Sequence, residues 1–236
     1  MNRTKPRKID AIMQELDNWV ASCGSGRYVP GEYVASADSD FSLAEDFGIQ
    51  QVRGEIRAFA EILLGRKKLG RALEIGLGYF GSTHFLWRLL FRHISTIEYQ
   101  KERVFIFREN CREHFGKHVL NDGKSSFFFG SSNTTSVLRS VRDHVAPAGG
   151  LDLLFIDGDH RYEGVLADWL LYSHLVSPGG IIAFHDAVSG ISGAGVPKLL
   201  KQLSSGVIDG IKRDIRRIVQ SKDCGIAYYV QKRRAR

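Results

Sequence analysis

Between Arg71 and Leu203, short apolar runs alternate with helical stretches, and this alternation limits the possible folds more than any other feature. Residues 72–75, 93–97, 127–129, 151–156 and 181–184 read as strands. Phe85, Leu86, Leu89 and Leu90 mark a helix after the first, and 103–114, 135–145, 164–176 and 196–203 read as the helices that follow the others. Strands that each hand over to a helix can pair side by side only in parallel, because the helix carries the chain back across the sheet. The tail breaks the rule. Residues 215–219 and 226–231, around Lys222 and Asp223, read as two strands in a hairpin. The expected class is therefore α/β: a Rossmann-like, mostly parallel sheet with an antiparallel edge and helices on both faces.

Ahead of this lies a segment of different character. Ile9, Ile12, Met13, Leu16 and Val20 recur at helical spacing behind a basic start, and a second helix is expected over roughly 49–64. Residues 24–47 between them are irregular and rich in Gly, Ser, Asp and Tyr. A connection of that length suits a lid or substrate loop, with Tyr28, Tyr33 and Phe41 as candidates for a substrate wall. The expected division is an N-terminal helical extension with its loop over 1–65 and the α/β domain over 66–236.

A chain of 236 residues can bury one substantial core. Its net charge of +7 suggests nucleic acid only until it is located. Arg3, Lys5, Arg7 and Lys8 lie at one end and Lys232, Arg233, Arg234 and Arg236 at the other, so the body between them is close to neutral. Nucleic acid is not the expected partner. No apolar run is long enough to span a bilayer, and the N-terminus lacks a signal-peptide core, so a cytoplasmic location is expected. Cys23, Cys111 and Cys224 are far apart, with no zinc-type spacing.

The ends of the expected strands carry the chemistry. The first runs into Glu74-Ile75-Gly76-Leu77-Gly78-Tyr79-Phe80-Gly81-Ser82, where Gly76, Gly78 and Gly81 allow a tight turn and close approach of a ligand to backbone N–H groups. The glycine pattern alone fits a dinucleotide equally well. Glu74 shifts the balance, since a carboxylate facing the loop would repel a pyrophosphate and suit a cationic ligand such as S-adenosylmethionine; a strand-end salt bridge is the alternative. Glu98 ends the second strand, where an acid accepts hydrogen bonds from ribose hydroxyls. Gly130 and Ser131 end the third, either holding an adenine or serving as plain turn residues. The fourth strand opens into Asp157, Asp159, His160 and Arg161, and the fifth into His185 and Asp186.

Together, EIGxGxxGxS, an acid after the second strand, FIDGDHxYEG over 155–164 and PGGxIxFHD over 178–186 resemble the class I S-adenosylmethionine-dependent methyltransferases, and within them the macrocin O-methyltransferase and cephalosporin-hydroxylase-like group. The resemblance covers Arg71 to about Leu203, and more loosely 48–51. It implies a seven-stranded sheet with its last strand antiparallel, and a fold that often forms dimers or larger assemblies. It also implies S-adenosylmethionine bound by Glu74, Gly76, Gly78, Gly81, Ser82, Glu98, Ser131 and Asp157. By the same resemblance Asp157 helps to bind a divalent metal, Mg²⁺ first, and His160 is the general base. Where the family places an acidic pair after the fifth strand, this chain has His185-Asp186. Asp157, Asp186 and His185 are thus the expected metal set, and a histidine among them shifts the preference slightly towards Mn²⁺, Fe²⁺ or Zn²⁺.

These groups suit O-methylation of a small hydroxylated molecule such as a sugar or natural-product glycoside. A hydroxyl is a poor nucleophile near pH 7 unless a metal lowers its pKa and a base accepts its proton. Each residue has a plainer reading: Asp157 as a helix cap, Asp159 as a turn acid, His185 as a cross-strand hydrogen bond, Tyr162 and Trp169 as packing. The rival functions are methylation of a nucleic acid or other macromolecule, reached through the basic ends, and a catalytically silent cofactor-binding protein of the same fold.

Overall fold

The computed structural model describes residues 8–23, 51–116, 122–188, 195–220 and 224–232. Two helices come first, α1 (Lys8–Ser22) and α2 (Arg53–Leu64). The sheet and its crossovers follow as β1 (Arg71–Ile75), α3 (Ser82–Leu90), β2 (His93–Glu98), α4 (Lys101–Asn110), β3 (Ser125–Phe129), α5 (Thr135–Val145), β4 (Leu151–Ile156), α6 (Tyr162–Tyr172), β5 (Val176–Phe184), α7 (Gly195–Ser205), β6 (Arg216–Ile218) and β7 (Ile226–Val230). One π-helical turn, Cys111–Phe115, extends α4.

The seven strands lie in the order β3-β2-β1-β4-β5-β7-β6. β1 to β5 pair in parallel; β7 runs antiparallel to β5 and to β6. The α/β class with its antiparallel edge is the one read from the alternation. Strand order reverses between β1 and β4, and in open α/β sheets ligands bind at the carboxyl ends of the strands flanking that reversal. Here those ends are Ile75 and Asp157, joined by a hydrogen bond from the Asp157 N–H to the Ile75 carbonyl at 2.9 Å.

Alternate residues of the strands face opposite layers. Ala72, Leu153, Phe155, Ile181, Ala183, Ile226 and Tyr228 pack with α1 to α4. Leu73, Leu154, Ile156, Ile182, Phe184, Ala227 and Tyr229 pack with α5, α6 and α7. The N-terminal helices belong to the first layer. Trp19 of α1 is fully buried and stacks on Phe85 of α3 with ring centroids 4.5 Å apart. Glu55 of α2, also buried, accepts backbone hydrogen bonds from Gln220 at 2.6 Å and Gly225 at 2.9 Å, which binds both flanks of the β6–β7 connection to α2.

One element departs from the sequence reading. Ser177-Pro178-Gly179-Gly180 looks like a turn, yet β5 runs through it. Leu151 pairs with Val176 and Leu153 with Ile181, so the four residues form an irregularity on the strand opposite Asp152. The Gly179 N–H and Gly180 carbonyl still bond to Gln231, and these glycines accommodate the bend while the ladder continues. The loop over 24–47 with Tyr28, Tyr33 and Phe41, the 189–194 segment, Lys222 with Asp223, and most of the basic ends lie outside the described residues. Among the described residues no helix is long and apolar enough to cross a membrane.

Candidate active site

The glycine loop sits where β1 meets β4. Gly76 has φ +93°, and a Cβ there would lie 2.2 Å from the Asp157 carbonyl oxygen. Only glycine permits both that backbone conformation and that approach. At Gly81, φ +67°, a Cβ would stand 2.7 Å from the Phe107 ring; Gly81 precedes the first turn of α3. Ser82, the first residue of that helix, is buried, and its hydroxyl has no hydrogen-bond partner among the described residues. Glu98 ties the loop to β2: one carboxylate oxygen accepts the Leu77 N–H at 2.9 Å and the other the Gln100 N–H at 2.8 Å. A carboxylate has about four acceptor sites, so capacity remains for further donors.

Glu74 does not face the loop. Its side chain is fully buried beneath α3, where it accepts hydrogen bonds from Trp87 Nε1 at 3.1 Å and Thr96 Oγ1 at 2.9 Å. Burial pushes its carboxyl up to about 8, partly opposed by bonds from Thr83, Thr96 and Trp87. The expectation of a carboxylate presented to a cationic ligand is therefore corrected. Strand alternation places Glu74 on the same side as Ala72, under the helix, while the loop turns away beyond Ile75.

Four side chains converge beyond β4 and β5. His160 Nε2 stands 3.1 Å from Asp157 Oδ1, and its Nδ1 2.8 Å from Asp186 Oδ2. His185 Nδ1 stands 3.0 Å from the same Asp157 oxygen and 3.2 Å from Asp186 Oδ1. Each carboxylate thus meets both imidazoles. Burial alone would raise Asp157, but the charge of His185 and the nearby imidazoles of His160 and His185 hold it down at about 2. Burial opposes the charged form of His160, yet Asp157 and Asp186 together carry it up to about 10. In this arrangement His160 already holds a proton at neutral pH, so it is not poised to accept one while both carboxylates remain directed at it. Asp186 is held at φ +53°, a left-handed conformation that costs a non-glycine residue on the order of 1 kcal/mol or more.

The donor set fits a divalent metal. His185 is only 4% exposed, and neither ring nitrogen has a hydrogen-bond partner of proper geometry among the described residues. A buried imidazole with unsatisfied nitrogens beside two carboxylates is the chemistry of a metal ligand. Asp157, His160 and His185 place one ligand atom each within 4.8 Å of one another, and so do His185, Asp186 and Cys224. Of the expected trio, His185 belongs to both groups, Asp157 to the first and Asp186 to the second. Asp157 does not cap a helix, since α6 begins after Arg161. Asp159 is a turn acid, accepting the Arg161 N–H at 3.0 Å. Trp169 and Tyr162 serve packing, bonding to Tyr229 and Gln202.

Three contributors escaped the sequence reading. Gln51 is buried and its Nε2 donates to Asp157 Oδ2 at 2.8 Å. Cys224 arrives from the C-terminal hairpin. Asp168 on α6 is buried and accepts from Ser132 Oγ at 2.5 Å; burial lifts it to about 6, with Asp159 adding and Ser132 opposing. Tyr172 donates to the Ser132 carbonyl at 2.6 Å, so the turn after β3 is held from α6. Asp168 had a legible signal, an acid between the apolar residues Val165 and Trp169 on a buried helix face. Ser131 donates to Asn133 at 2.9 Å within that turn, which makes it at least a turn residue.

Residues 73–187 match the family model described as a methyltransferase domain. A stretch of 37 residues is 54% identical to the uncharacterized protein R132 of Acanthamoeba polyphaga mimivirus, covering 16% of this chain and 17% of that protein. The match therefore spans about a sixth of that curated relative. Among solved structures, the chain is similar to the O-methyltransferase TomG of Streptomyces achromogenes, involved in tomaymycin synthesis and in complex with SAM, with TM-score 0.57, 15% identity, and coverage of 98% of this chain and 92% of that one. It is also similar to the MycE methyltransferase of the mycinamycin biosynthetic pathway in complex with Mg and SAH, with TM-score 0.52, 15% identity, and coverage of 98% of this chain and 56% of that one.

Proposed function

We propose that this chain, a class I S-adenosylmethionine-dependent methyltransferase over residues 73–187, methylates a hydroxyl oxygen of a small hydroxylated acceptor, a sugar or natural-product glycoside, with the help of a divalent metal ion. One observation carries the reading: Asp157, His160, His185 and Asp186 converge beside Gly76 at the reversal point of the sheet.

The bound cofactor supplies a methyl group on a positively charged sulfur. The glycine loop and the first turn of α3 offer backbone N–H groups and the positive end of a helix to its carboxylate. Glu98 has acceptor capacity left for ribose hydroxyls, and Ser131 and Ser132 border the place for the adenine. Asp157, His185 and Asp186 would hold the metal ion, which would supply a Lewis acid that makes an acceptor hydroxyl more acidic. His160 lies between both carboxylates, where it takes the hydroxyl proton once those carboxylates are engaged elsewhere. Holding the oxygen in line with the sulfur–methyl bond accounts for much of the acceleration expected of such a site. The similarity in fold to MycE of the mycinamycin biosynthetic pathway, in complex with Mg and SAH, is in keeping with this reading.

The test is calorimetric titration of the purified chain with S-adenosylmethionine, followed by transfer of a labelled methyl group to a panel of glycosides. Saturable one-site binding and labelled ether product are expected. Absence of binding at millimolar ligand would overturn the reading.

A further inference from the structure

We propose that Cys224 is a metal ligand and that the ion held with it by His185, Asp186 and Asp157 is a thiolate-accepting divalent transition ion of the Zn²⁺ or Fe²⁺ class rather than Mg²⁺; the proposal deepens, and rests on, the metal-assisted reading of this site.

The first support is placement. One ligand atom each from His185, Asp186 and Cys224 fall within 4.8 Å of one another, and this trio shares His185 with the Asp157–His160–His185 group. Around an ion with ligand bonds of about 2.0–2.3 Å, neighbouring donors lie roughly 3.3–3.8 Å apart. His185 Nδ1 already stands 3.0 Å from Asp157 Oδ1 and 3.2 Å from Asp186 Oδ1, close to that spacing.

The second support is the hydrogen-bonding state of His185 itself. His185 is nearly fully buried, and neither of its nitrogens has a hydrogen-bond partner of proper geometry among the described residues. A buried unsatisfied donor or acceptor costs about 1–3 kcal/mol, which a coordinate bond would offset.

The third support is how Cys224 is held. Its residue bonds through the backbone carbonyl to the Val188 N–H at 2.9 Å, and Gly225 bonds likewise to the Ala187 N–H at 3.0 Å. Glu55 grips the Gly225 N–H from the other side at 2.9 Å. The Cys224 side chain is thus buried beside His185, away from solvent. Magnesium seeks a near-octahedral oxygen shell. Nitrogen and sulfur donors at this site select softer ions.

The test uses the full chain, stripped of metal by a chelator and titrated with Co²⁺ without oxygen. One equivalent should produce a thiolate-to-cobalt charge-transfer band in the near ultraviolet and intense visible bands of a low-coordinate ion, and a hundredfold excess of Mg²⁺ should not remove them. Cys224→Ser, close in size, should lose the ultraviolet band and bind Co²⁺ at least tenfold more weakly. X-ray absorption of the Zn²⁺-loaded wild type needs no variant and should show one sulfur at about 2.3 Å. A spectrum without sulfur, a band that survives in Cys224→Ser, or displacement by Mg²⁺ would overturn the proposal and leave Cys224 as a buried neighbour of His185. Titration with S-adenosylmethionine runs alongside. Cofactor binding without the sulfur signature defeats this proposal alone, whereas the signature without cofactor binding defeats the methyltransferase reading.

Discussion

Asp157 Oδ1 stands 3.0 Å from His185 Nδ1, although the two residues end different strands, β4 and β5, that are neighbours in the sheet. Parallel pairing with Ile156 opposite Phe184 brings the two chain ends level, so the residues that follow each strand share one small volume. His160, three residues beyond Asp157 in the loop before α6, closes the group by facing Asp186.

That group has a pH signature in the metal-free protein. The folded-state pKa of His160 is raised to about 10. Its ion pairs therefore add stability that is fully present below about pH 6.5 and is lost as pH rises towards 10. Stripped wild type should lose thermal stability over this range more steeply than His160→Gln, by on the order of 1 kcal/mol per pH unit inside the window. Parallel slopes in a thermal-melt series would show that His160 is not so held.

Glu74 should leave a separate mark. Its carboxyl is raised to about 8 by burial, so between about 4.5 and 8 the folded state holds a proton that the unfolded chain releases. Stability then falls as pH rises through that interval. Glu74→Gln retains an acceptor for Trp87 and cannot ionise, so its melting temperature should be flatter from pH 5 to 8 than that of wild type.

Gly76 tests the seam between the glycine loop and β4. Gly76→Ala forces a Cβ to within 2.2 Å of the Asp157 carbonyl at φ +93°. The variant should lose more than about 1–2 kcal/mol of stability in denaturant titration and most of its affinity for S-adenosylmethionine. Gly81→Ala meets a ring that can shift and should be milder.

Glu55 should matter far from the cofactor. Both its oxygens accept backbone N–H groups flanking the β6–β7 connection. Glu55→Ala should cost about 1.5–3 kcal/mol per charged hydrogen bond lost, read by chemical denaturation, while S-adenosylmethionine still binds the folded fraction.

The alternation of strand and helix made the sheet legible, because burial on both faces of a parallel sheet leaves continuous apolar runs. Asp157 and His185 follow directly on such runs, and His160 and Asp186 lie within a few positions of them, which is why the sequence points to this corner of the sheet. Glu74 was misread, since spacing gives the strand end but not which face its side chain takes. Ser177 to Gly180 was misread because proline and glycine mark bends in strands as readily as turns. Gln51 and Cys224 could not be found from local pattern. Gln51 reaches Asp157 across 106 positions of sequence, and Cys224 is brought in by a hairpin whose position is set by Glu55.

Asp186→Asn offers the most direct measurement. Asparagine keeps the size of the side chain and tolerates the left-handed backbone at this position, but it withdraws the carboxylate facing His160 and His185. The variant and wild type should be compared for S-adenosylmethionine affinity by calorimetry and for methyl transfer under saturating cofactor. Affinity within about twofold and a rate reduced by at least a hundredfold are expected. An unchanged rate, with the fold intact, would contradict a catalytic role for the group at the ends of β4 and β5.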